Sequence, residues 1–396
     1  MAQLRIAIVG GRLQGIEAAY LCSKADFETV LIDDDPSPPA KGLTDEFHQI
    51  NIVTRREKAK GALRGCNAVL PANENRKALL VLEKCCNELQ IPFMQDNHAF
   101  WVTSDKTKSM KFFRETGIPT PASWPDCGFP VIVKPSNKSG SEGIYRADNK
   151  RQLQQSLNLV RRLDDTPIVQ EYIGGQALSL EVLGTKGAGQ PLQITGLEFD
   201  ETYGCKRVYA PVKVPPSVEE RVKWIGSKVS SGLSLNGLTD LQALLKRSEP
   251  VVNEINARLP SQTPTVVYHS TKVNMAELLV RLFLEGRQPP VRFDEPPQTV
   301  LYEHVKVFGR ELRVQGEHVM ANATGLRLKK DFLGADETIT NLELGAQATK
   351  RVATLIVKGQ DLASASKKMK GAIRNIMNEF HLTHYADPSP GRGRRS

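Results

Sequence analysis

Three polar side chains stand at the end of one apolar strand, in the segment PVVNEINARLPSQTPT. Because strand side chains alternate between the two faces of a sheet, we expect Glu254, Asn256 and Arg258 on one face. The carboxylate and amide oxygens suit a hard cation such as Mg²⁺, and the guanidinium suits a phosphate or a carboxylate. The strand end therefore predicts a platform for a magnesium ion, phosphates and an anionic substrate. An edge strand with a solvated polar face is the alternative interpretation.

Groups with matching chemistry precede this strand in the chain. Lys106 follows the first hundred residues, and Lys134 ends an apolar strand just before a loop rich in Ser and Gly. The segment Glu171-Tyr172-Ile173 reads as a hinge between two strands, and Asp240 lies on the strand before the polar one. Lysines, a loop that can close over phosphates, a hinge for adenine and carboxylates for magnesium are the parts that an ATP site needs.

The first hundred residues alternate strand and helix, which predicts a doubly wound parallel sheet. The segment LRIAIVGG is a buried strand that enters the glycine turn Gly10-Gly11, where a phosphate or carboxylate could bind. This turn lacks the full dinucleotide fingerprint, although Asp33 at the end of the second strand keeps a dehydrogenase as an alternative. From residue 192 strands are expected to predominate as far as Arg258. A last amphipathic helix is predicted over 363–380, and a helix with Ser104 as its N-cap starts near residue 105.

The composition excludes several classes of protein. The chain has 396 residues, 40% of them apolar and 24% charged, as in ordinary globular proteins. No apolar run approaches membrane-spanning length and the N-terminus reads as a strand, so we expect a cytoplasmic protein without a membrane partner. Six cysteines without metal-type spacing are expected to be reduced thiols. The net charge of +9 lies partly in a basic tail, expected to be disordered, and does not favour nucleic acid.

The order of these features resembles the ATP-grasp superfamily. More narrowly, the resemblance to the PylC ligase family of pyrrolysine biosynthesis is carried, between Ile6 and Phe380, by VGGRLQGIEAAYL, VLPANEN, QEYIGGQALSLEV, DETYGC, NEINARLPSQTPTVVYHS and LYEHV. It implies an ADP-forming ligase that uses ATP and Mg²⁺ to join (3R)-3-methyl-D-ornithine, or D-ornithine, to the ε-amine of L-lysine through an acyl phosphate. An ATP-grasp ligase for another amino-acid pair and a nucleotide-binding regulator without catalysis are the alternatives.

The resemblance also implies roles for single residues. Glu254 and Arg258 would be catalytic, and the magnesium ligands would be Asp240, Glu254 and Asn256. ATP would be bound by Arg12, Lys106, Lys134, Ser139, Gly140, Ser141, Gly143, Glu171, Tyr172 and Ile173. Lysine would be held by Leu13, Gln14 and Glu74, another substrate amine by Asp200, and D-ornithine by Ser261, Gln262 and Thr263.

Four residues depart from the pattern of the family. Arg12 stands in place of a lysine, Gln176 in place of an acid that meets the ribose, Gln242 in place of an acid, and Asn256 in place of an aspartate. Fewer carboxylates should weaken magnesium binding without abolishing it, because an amide oxygen also suits a hard cation.

The implied fold class is α/β, an ATP-grasp fold with three domains. A Rossmann-like, doubly wound N-terminal domain would cover 1–98, a central lid domain 99–185, and a C-terminal α+β domain 186–385, ahead of the basic tail 386–396. The sequence leaves the oligomeric state open, with a homodimer as one option.

Overall fold

The N-terminal unit is a parallel sheet that leads into the glycine turn. The computed structural model describes residues 3–293, 295–345 and 351–390, so the tail residues 391–396 lie outside the described residues. The unit consists of β1 (Arg5–Val9), α1 (Leu13–Lys24), β2 (Glu28–Asp33), β3 (Glu46–Gln49), α2 (Arg56–Leu63), β4 (Ala68–Pro71) and α3 (Arg76–Leu89). Its strand order is β3-β2-β1-β4, with every pairing parallel. Since the chain winds in opposite directions from β1, the carboxyl end of this strand is where such sheets bind ligands.

Two short helices follow, and they pack on the C-terminal domain. They are α4 (Asn97–Thr103) and α5 (Lys106–Thr116). Phe113 of α5 shares a buried cluster with Val222 and Ile255 of the C-terminal domain. The N-cap of α5 is Asp105, whose carboxylate accepts from the Thr107 and Lys108 amides, and not the predicted Ser104. Ser104 cannot take this position because it still has helical backbone angles, as the C-cap of α4.

The lid is a three-stranded antiparallel sheet with one helix. It is built from β5 (Val131–Pro135), β6 (Tyr145–Ala147), α6 (Lys150–Arg161) and β7 (Pro167–Glu171), in the strand order β6-β5-β7. A separate small core lies beneath α6 and includes Val131, Val133 and Val160. This core is not shared with the other units, so the lid packs as a unit of its own.

A large, mostly antiparallel sheet forms the rest of the described chain. Its first part contains β8 (Ala177–Thr185), β9 (Ala188–Phe199), β10 (Cys205–Ala210), α7 (Pro216–Gly232), β11 (Gly237–Lys246), β12 (Glu249–Asn256), α8 (Thr263–Thr271) and α9 (Met275–Glu285). Its second part contains β13 (Thr299–Phe308), β14 (Glu311–Val314), α10 (His318–Ala321), β15 (Arg327–Lys330), β16 (Glu337–Thr340), β17 (Arg351–Gly359), α11 (Leu362–Glu379) and β18 (His384–Ala386). The strand order is β12-β11-β8-β9-β10-β13-β17-β16-β15, with β14 between β13 and β18.

The lid is smaller than the predicted domain 99–185. Strand β8 pairs with β9 and β11 in the large sheet, so a boundary at 185 would cut through that sheet. The helix α7 also interrupts the region in which strands were expected to predominate. Val218, Val222, Ile225 and Val229 recur at helical spacing and are buried against the sheet, which is the signal that the strand interpretation missed.

The predicted last helix agrees with the structure, but the predicted disordered tail 386–396 begins too early, because Asp387 pairs with Lys206 and Arg207 of the large sheet. The last amphipathic helix ends one residue before the predicted Phe380. All six cysteines lie within the described ranges, are buried and form no disulfide. Over the same ranges, no helix is both long enough and apolar enough to cross a membrane.

Candidate active site

Polar side chains form two rows across three neighbouring strands of the large sheet. In one row, Asp240 of β11 pairs with Glu181 on one side and Asn256 on the other. In the next row, Gln242 lies between Ser179 and Glu254. Residues two apart on a strand share a face, so all six side chains project from the same side of the sheet. Five of the six line one cavity: Ser179, Asp240, Gln242, Glu254 and Asn256.

A β-bulge at Asn253 brings Glu254 onto that face. Val252 pairs with Ala243 and Glu254 pairs with Gln242, which leaves Asn253 as an extra residue between them. Simple alternation would have put Val252 and Glu254 on the same face, but the bulge sends Val252 into the core and Glu254 into the cavity. Asn253 also positions Lys134, because its carbonyl and side-chain oxygens accept hydrogen bonds from that lysine at 3.3 and 2.9 Å.

Arg258 connects the strand end to the N-terminal unit. It lies two residues beyond β12, where it donates to Asp240 Oδ1 at 2.9 Å and to Glu74 Oε1 at 3.1 Å. Burial opposes the charge of Arg258, but the attraction of Asp240 and Glu74 raises its pKa above the ordinary value. Burial raises the pKa of Asp240, and Arg258 offsets part of this rise. The guanidinium is therefore a permanent positive charge between two predicted subsites.

The two lysines predicted to bind ATP lie close to Glu254. Lys106 Nζ lies 3.3 Å from Glu254 Oε1 and donates to the Lys138 carbonyl at 2.6 Å. Burial would raise the pKa of Glu254, but Lys106 and Lys134 outweigh it and hold this pKa below its ordinary value. Burial lowers the pKa of Lys134 to about 8, against the attraction of Glu254. The structure thus brings Lys106, Lys134 and Glu254 together, in a narrow cavity next to the main one.

The Ser/Gly loop between β5 and β6 reaches over the cavity. Ser139, Gly140 and Ser141 line it, and Ser141 Oγ donates to the Tyr203 carbonyl at 2.7 Å. Gly143 has a positive φ of 76°, and a Cβ there would come within 2.7 Å of Leu163, so this position needs glycine. The loop is placed where it could cover phosphates, while Gly143 lies behind it at the lid.

The predicted adenine hinge is partly occupied by hydrogen bonds within the lid. The Glu171 amide donates to the Ala122 carbonyl at 2.8 Å, and the Tyr172 amide donates to the Pro130 carbonyl at 3.0 Å. The Glu171 carboxylate pairs with Lys246 at 2.7 Å. Backbone contacts of an adenine would therefore depend on carbonyl oxygens and on Ile173, rather than on all three amides.

The glycine turn and the start of α1 form the opposite wall of the cavity. Arg12, Leu13 and Gln14 line it, and Gln14 Nε2 donates to Glu74 Oε1 at 2.8 Å. A Cβ on Gly10 would lie 2.4 Å from the Ala72 carbonyl oxygen, so the turn cannot accept a larger residue. The Gly11 amide is not free, because it donates to Asp33 Oδ2 at 2.6 Å. Asp33 thus clamps the turn, and this use accounts for its position without a dinucleotide.

Two of the predicted substrate ligands have a different role in the structure. Asp200 is fully buried, and its carboxylate accepts from the Thr202 amide and hydroxyl and the Gly204 and Gly316 amides, at 2.7 to 3.0 Å. It holds two turns together and is completely buried away from the cavity, so a substrate amine would not reach it, which corrects its predicted role. The Gln262 side chain is likewise used inside the protein, since it donates to the Cys205 carbonyl at 3.0 Å and contacts His304. All three residues of the loop, Ser261, Gln262 and Thr263, line the cavity.

Three residues in the cavity or beside it were not predicted from the sequence. Ser179 and Glu181 lie two apart in an apolar strand. Glu254 and Asn256 were predicted from the same spacing, so this pattern could also have identified Ser179 and Glu181. Glu317 precedes a four-residue helix and has no recognisable signal. Among the described residues, one carboxylate oxygen each of Glu181 and Glu317 is buried without a hydrogen-bond partner. Burial raises the pKa of both carboxyl groups to about 7.

These walls enclose one cavity of about 530 Å³. It is lined by residues from the glycine turn, the lid loop, the polar sheet face and the loop after β12. The donor set of Asp240, Glu254 and Asn256 fits Mg²⁺, since two carboxylates and one amide offer hard oxygen atoms from adjacent strand ends. The described residues contain no group of three or more His, Cys, Asp and Glu that could hold a metal by themselves, so substrate oxygens would have to complete the coordination.

Comparisons with known proteins agree with this geometry. Residues 103–262 match the ATP-grasp domain family. A 3-methyl-D-ornithine–L-lysine ligase from Methanosarcina acetivorans is 32% identical over 95% of this chain and 98% of its own length. The corresponding ligase from Methanosarcina barkeri is 34% identical over 80% of this chain and 84% of its own.

A solved structure extends the agreement in fold to nearly the whole chain. The biotin carboxylase domain of 2-oxoglutarate carboxylase from Hydrogenobacter thermophilus, in complex with MgADP, ADP and bicarbonate, superposes with a TM-score of 0.72. It is 16% identical and covers 94% of this chain and 90% of its own. The predicted ATP-grasp fold is thereby confirmed. The identity and length of the two ligase matches, with the ATP-grasp family match, show that this chain is an ATP-grasp carboxylate–amine ligase and belongs to the 3-methyl-D-ornithine–L-lysine ligase family.

Proposed function

We propose that this ligase joins 3-methyl-D-ornithine, or D-ornithine, to the ε-amine of L-lysine, with ATP converted to ADP and phosphate. The observation that carries the proposal is the single cavity shared by three units of the protein. Its sheet face offers oxygen ligands, its lid side offers the loop of Ser139 to Ser141, and its N-terminal wall offers the Glu74 carboxylate, while Lys106 and Lys134 line the adjoining narrow cavity. A volume of about 530 Å³ lies in the range of small-molecule sites.

The charges of the cavity favour substrates that carry ammonium groups. Glu317 lines the cavity and holds a buried oxygen that lacks a partner among the described residues, and Glu74 lies at the N-terminal wall. A buried carboxylate is stabilised when a cation pairs with it, and both proposed amino acids bring two amines. Arg258 supplies the opposite charge, next to the sheet face, for a substrate carboxylate or a transferred phosphoryl group.

The reaction follows from these positions. A carboxylate oxygen of D-ornithine attacks the γ-phosphorus of ATP, and the bond to the ADP oxygen breaks. Arg258, Lys106 and Lys134 then lie where they would stabilise the negative charge on the transferred group. The neutral ε-amine of lysine attacks the acyl carbon, the bond to the phosphate oxygen breaks, and the amine loses a proton to the departing phosphate, which leaves an amide. Magnesium, when bound by Asp240, Glu254 and Asn256, would neutralise charge on the phosphate oxygens.

The lysine end of the cavity explains the choice of the ε-amine. Gln14 and Glu74 lie beside the start of α1, at the wall opposite the sheet face. An α-ammonium held by Glu74 leaves the four-carbon chain of lysine free to extend toward the acyl phosphate. This assignment, like the residue roles above, rests on position and charge.

A product assay tests the proposal. The enzyme is incubated with ATP, Mg²⁺, L-lysine and D-ornithine, and the mixture is analysed by mass spectrometry and fragmentation. We expect an ornithyl-lysine amide linked through Nε, with ADP released only when both amino acids are present. An α-linked product would contradict the assignment of the lysine site, and D-alanine as the preferred substrate would indicate another amino-acid pair. ATP binding without turnover would indicate the regulator.

The thiols of the protein indicate the compartment in which it works. Six buried thiols without disulfides suit a reducing compartment, so we place the protein in the cytoplasm. A homodimer stays a prediction, to be measured by sedimentation.

A further inference from the structure

The loop before α8 contains a strained turn at a residue other than glycine. Gln262 has φ 77° and ψ −58°, and the Thr263 amide donates to the Ser261 carbonyl at 3.0 Å. A hydrogen bond between residues two apart, around a central positive φ, defines the rarer and more strained form of γ-turn. Such a conformation persists only where its surroundings hold it, and it is common at functional sites. The two flanking residues of this turn, Ser261 and Thr263, line the cavity.

A carboxylate from a different domain holds the backbone of this turn. Glu17 of α1 accepts from the Gln262 amide at 3.1 Å through Oε2 and from the Thr265 amide at 2.6 Å through Oε1. Its side chain is almost completely buried. The N-cap position of α8 has no side-chain cap of its own, so Glu17 supplies from α1 the acceptor that a local Ser or Asp would normally provide.

The side chain of Gln262 fixes the turn from the other direction. Its amide nitrogen donates both to the Cys205 carbonyl and to His304 Nε2. Because that ring nitrogen accepts, the proton of the neutral imidazole lies on Nδ1 and is donated to Thr354 Oγ1 at 2.8 Å. The turn is therefore held at its backbone by Glu17 and at its side chain by the large sheet.

We propose that Glu17 is a positioning residue, which holds the strained turn at Gln262 so that Ser261 and Thr263 face the bound D-ornithine. This inference rests on the proposed function, because it names the amino acid that the loop receives. Glu17 lies one helical turn after Gln14, which lines the lysine end of the same cavity. The helix α1 therefore contributes to both amino-acid subsites, directly at its first turn and through the loop at its second.

The substitution Glu17→Gln tests the proposal with little change in shape. The amide offers one acceptor instead of two and turns an N–H donor toward a backbone N–H. We expect the KM for D-ornithine to rise about tenfold while the KM for ATP changes less than about twofold, because only the loop is released. Glu17→Asp keeps the charge but cannot reach both amides, and should give an intermediate KM. Calorimetric titration of D-ornithine in the presence of a non-hydrolysable ATP analogue should show the same order of affinities.

A matched control replaces a different carboxylate that also contacts residues of α1. Glu337 accepts from Tyr20 and Lys24 of α1, away from the loop, so Glu337→Gln should leave the KM for D-ornithine within about twofold. If wild-type enzyme makes no product from D-ornithine, the proposed function fails. If wild-type turns over and Glu17→Gln has an unchanged KM for D-ornithine, or raises all three substrate constants equally, the positioning role is wrong.

A second variant covers the case in which Glu17→Gln does not fold. Gln262→Gly tolerates the positive φ but loses the contacts with Cys205 and His304, so the turn is no longer fixed. The same selective rise in the KM for D-ornithine is expected. An unchanged KM in this variant would overturn the proposal as well.

Discussion

Arg258 donates to Glu74 across the junction between the C-terminal and N-terminal domains, with Nε 3.1 Å from Oε1. The same guanidinium donates to Asp240, which belongs to the polar sheet face. One side chain thus joins the predicted lysine site to the predicted magnesium site. Since the fork of an arginine can donate in two directions at once, this bridge depends on arginine and not only on positive charge.

We expect Arg258→Lys to lower kcat by about 10² to 10³, because one ammonium group cannot replace both contacts and the donor to the transferred group is lost. Single-turnover assays of ADP release would show whether the phosphoryl step is slowed. Arg313→Lys is the control, since Arg313 is also paired with carboxylates but does not line the cavity. A kcat within threefold of wild type would contradict the role of Arg258.

Replacing Glu254 with glutamine should raise the magnesium concentration needed for half-maximal activity and lower kcat. The change removes a charge where Mg²⁺ is proposed to bind and leaves two lysines facing each other. The thermal midpoint should change little. Gln242→Glu serves as the opposite change, because Gln242 faces Glu254 across the strands and an added carboxylate should lower the magnesium requirement. Equal magnesium curves for Glu254→Gln and wild type would remove Glu254 from the metal site.

The affinity of the free enzyme for ATP should fall as the pH rises above about 8. Burial lowers the pKa of Lys134 to about 8, Glu254 opposes this shift and Lys106 adds to it. Below this pH the amine is charged and attracts phosphates, and above it the neutral amine does so less. Lys134→Arg stays charged, so its affinity should remain flat between pH 7 and about 9. Calorimetric titration with a non-hydrolysable ATP analogue gives the affinity of wild type and of Lys134→Arg at each pH. If the affinities of the two proteins fall in parallel as the pH rises, a group other than Lys134 is responsible.

Asp200→Asn should destabilise the protein rather than weaken one substrate. The carboxylate accepts four hydrogen bonds in a buried site, and an amide nitrogen would place a donor against backbone donors. We expect a loss of about 1–3 kcal/mol in the free energy of unfolding, measured by denaturant titration. The exposed Asp126→Asn is the control and should change stability little. A selective rise in one Michaelis constant at unchanged stability would restore the substrate role first predicted for Asp200.

Local patterns in the sequence were enough to predict most helices and strands, and the residue types that form the nucleotide site. Strand and helix alternation predicted the N-terminal sheet, and the lysines, the Ser/Gly loop and the strand-end acids predicted a nucleotide site. These signals are short-range, since they depend on residues two to four apart. The ATP-grasp fold and the ligase family came from the ordered set of such segments, and the comparisons confirm both.

The partners of these groups were decided by the tertiary structure alone. The bulge at Asn253 exists because β12 pairs with β11, and without it Glu254 would share the buried face of Val252. Glu17 meets Gln262 across 245 positions of the chain, and Arg258 meets Glu74 across 184. The sequence predicted Asp200 as a substrate ligand, but in the structure its carboxylate accepts hydrogen bonds from the backbone of two turns. A sequence states which polar groups exist, but burial and long-range contacts determine which of them are already used and which still face the cavity.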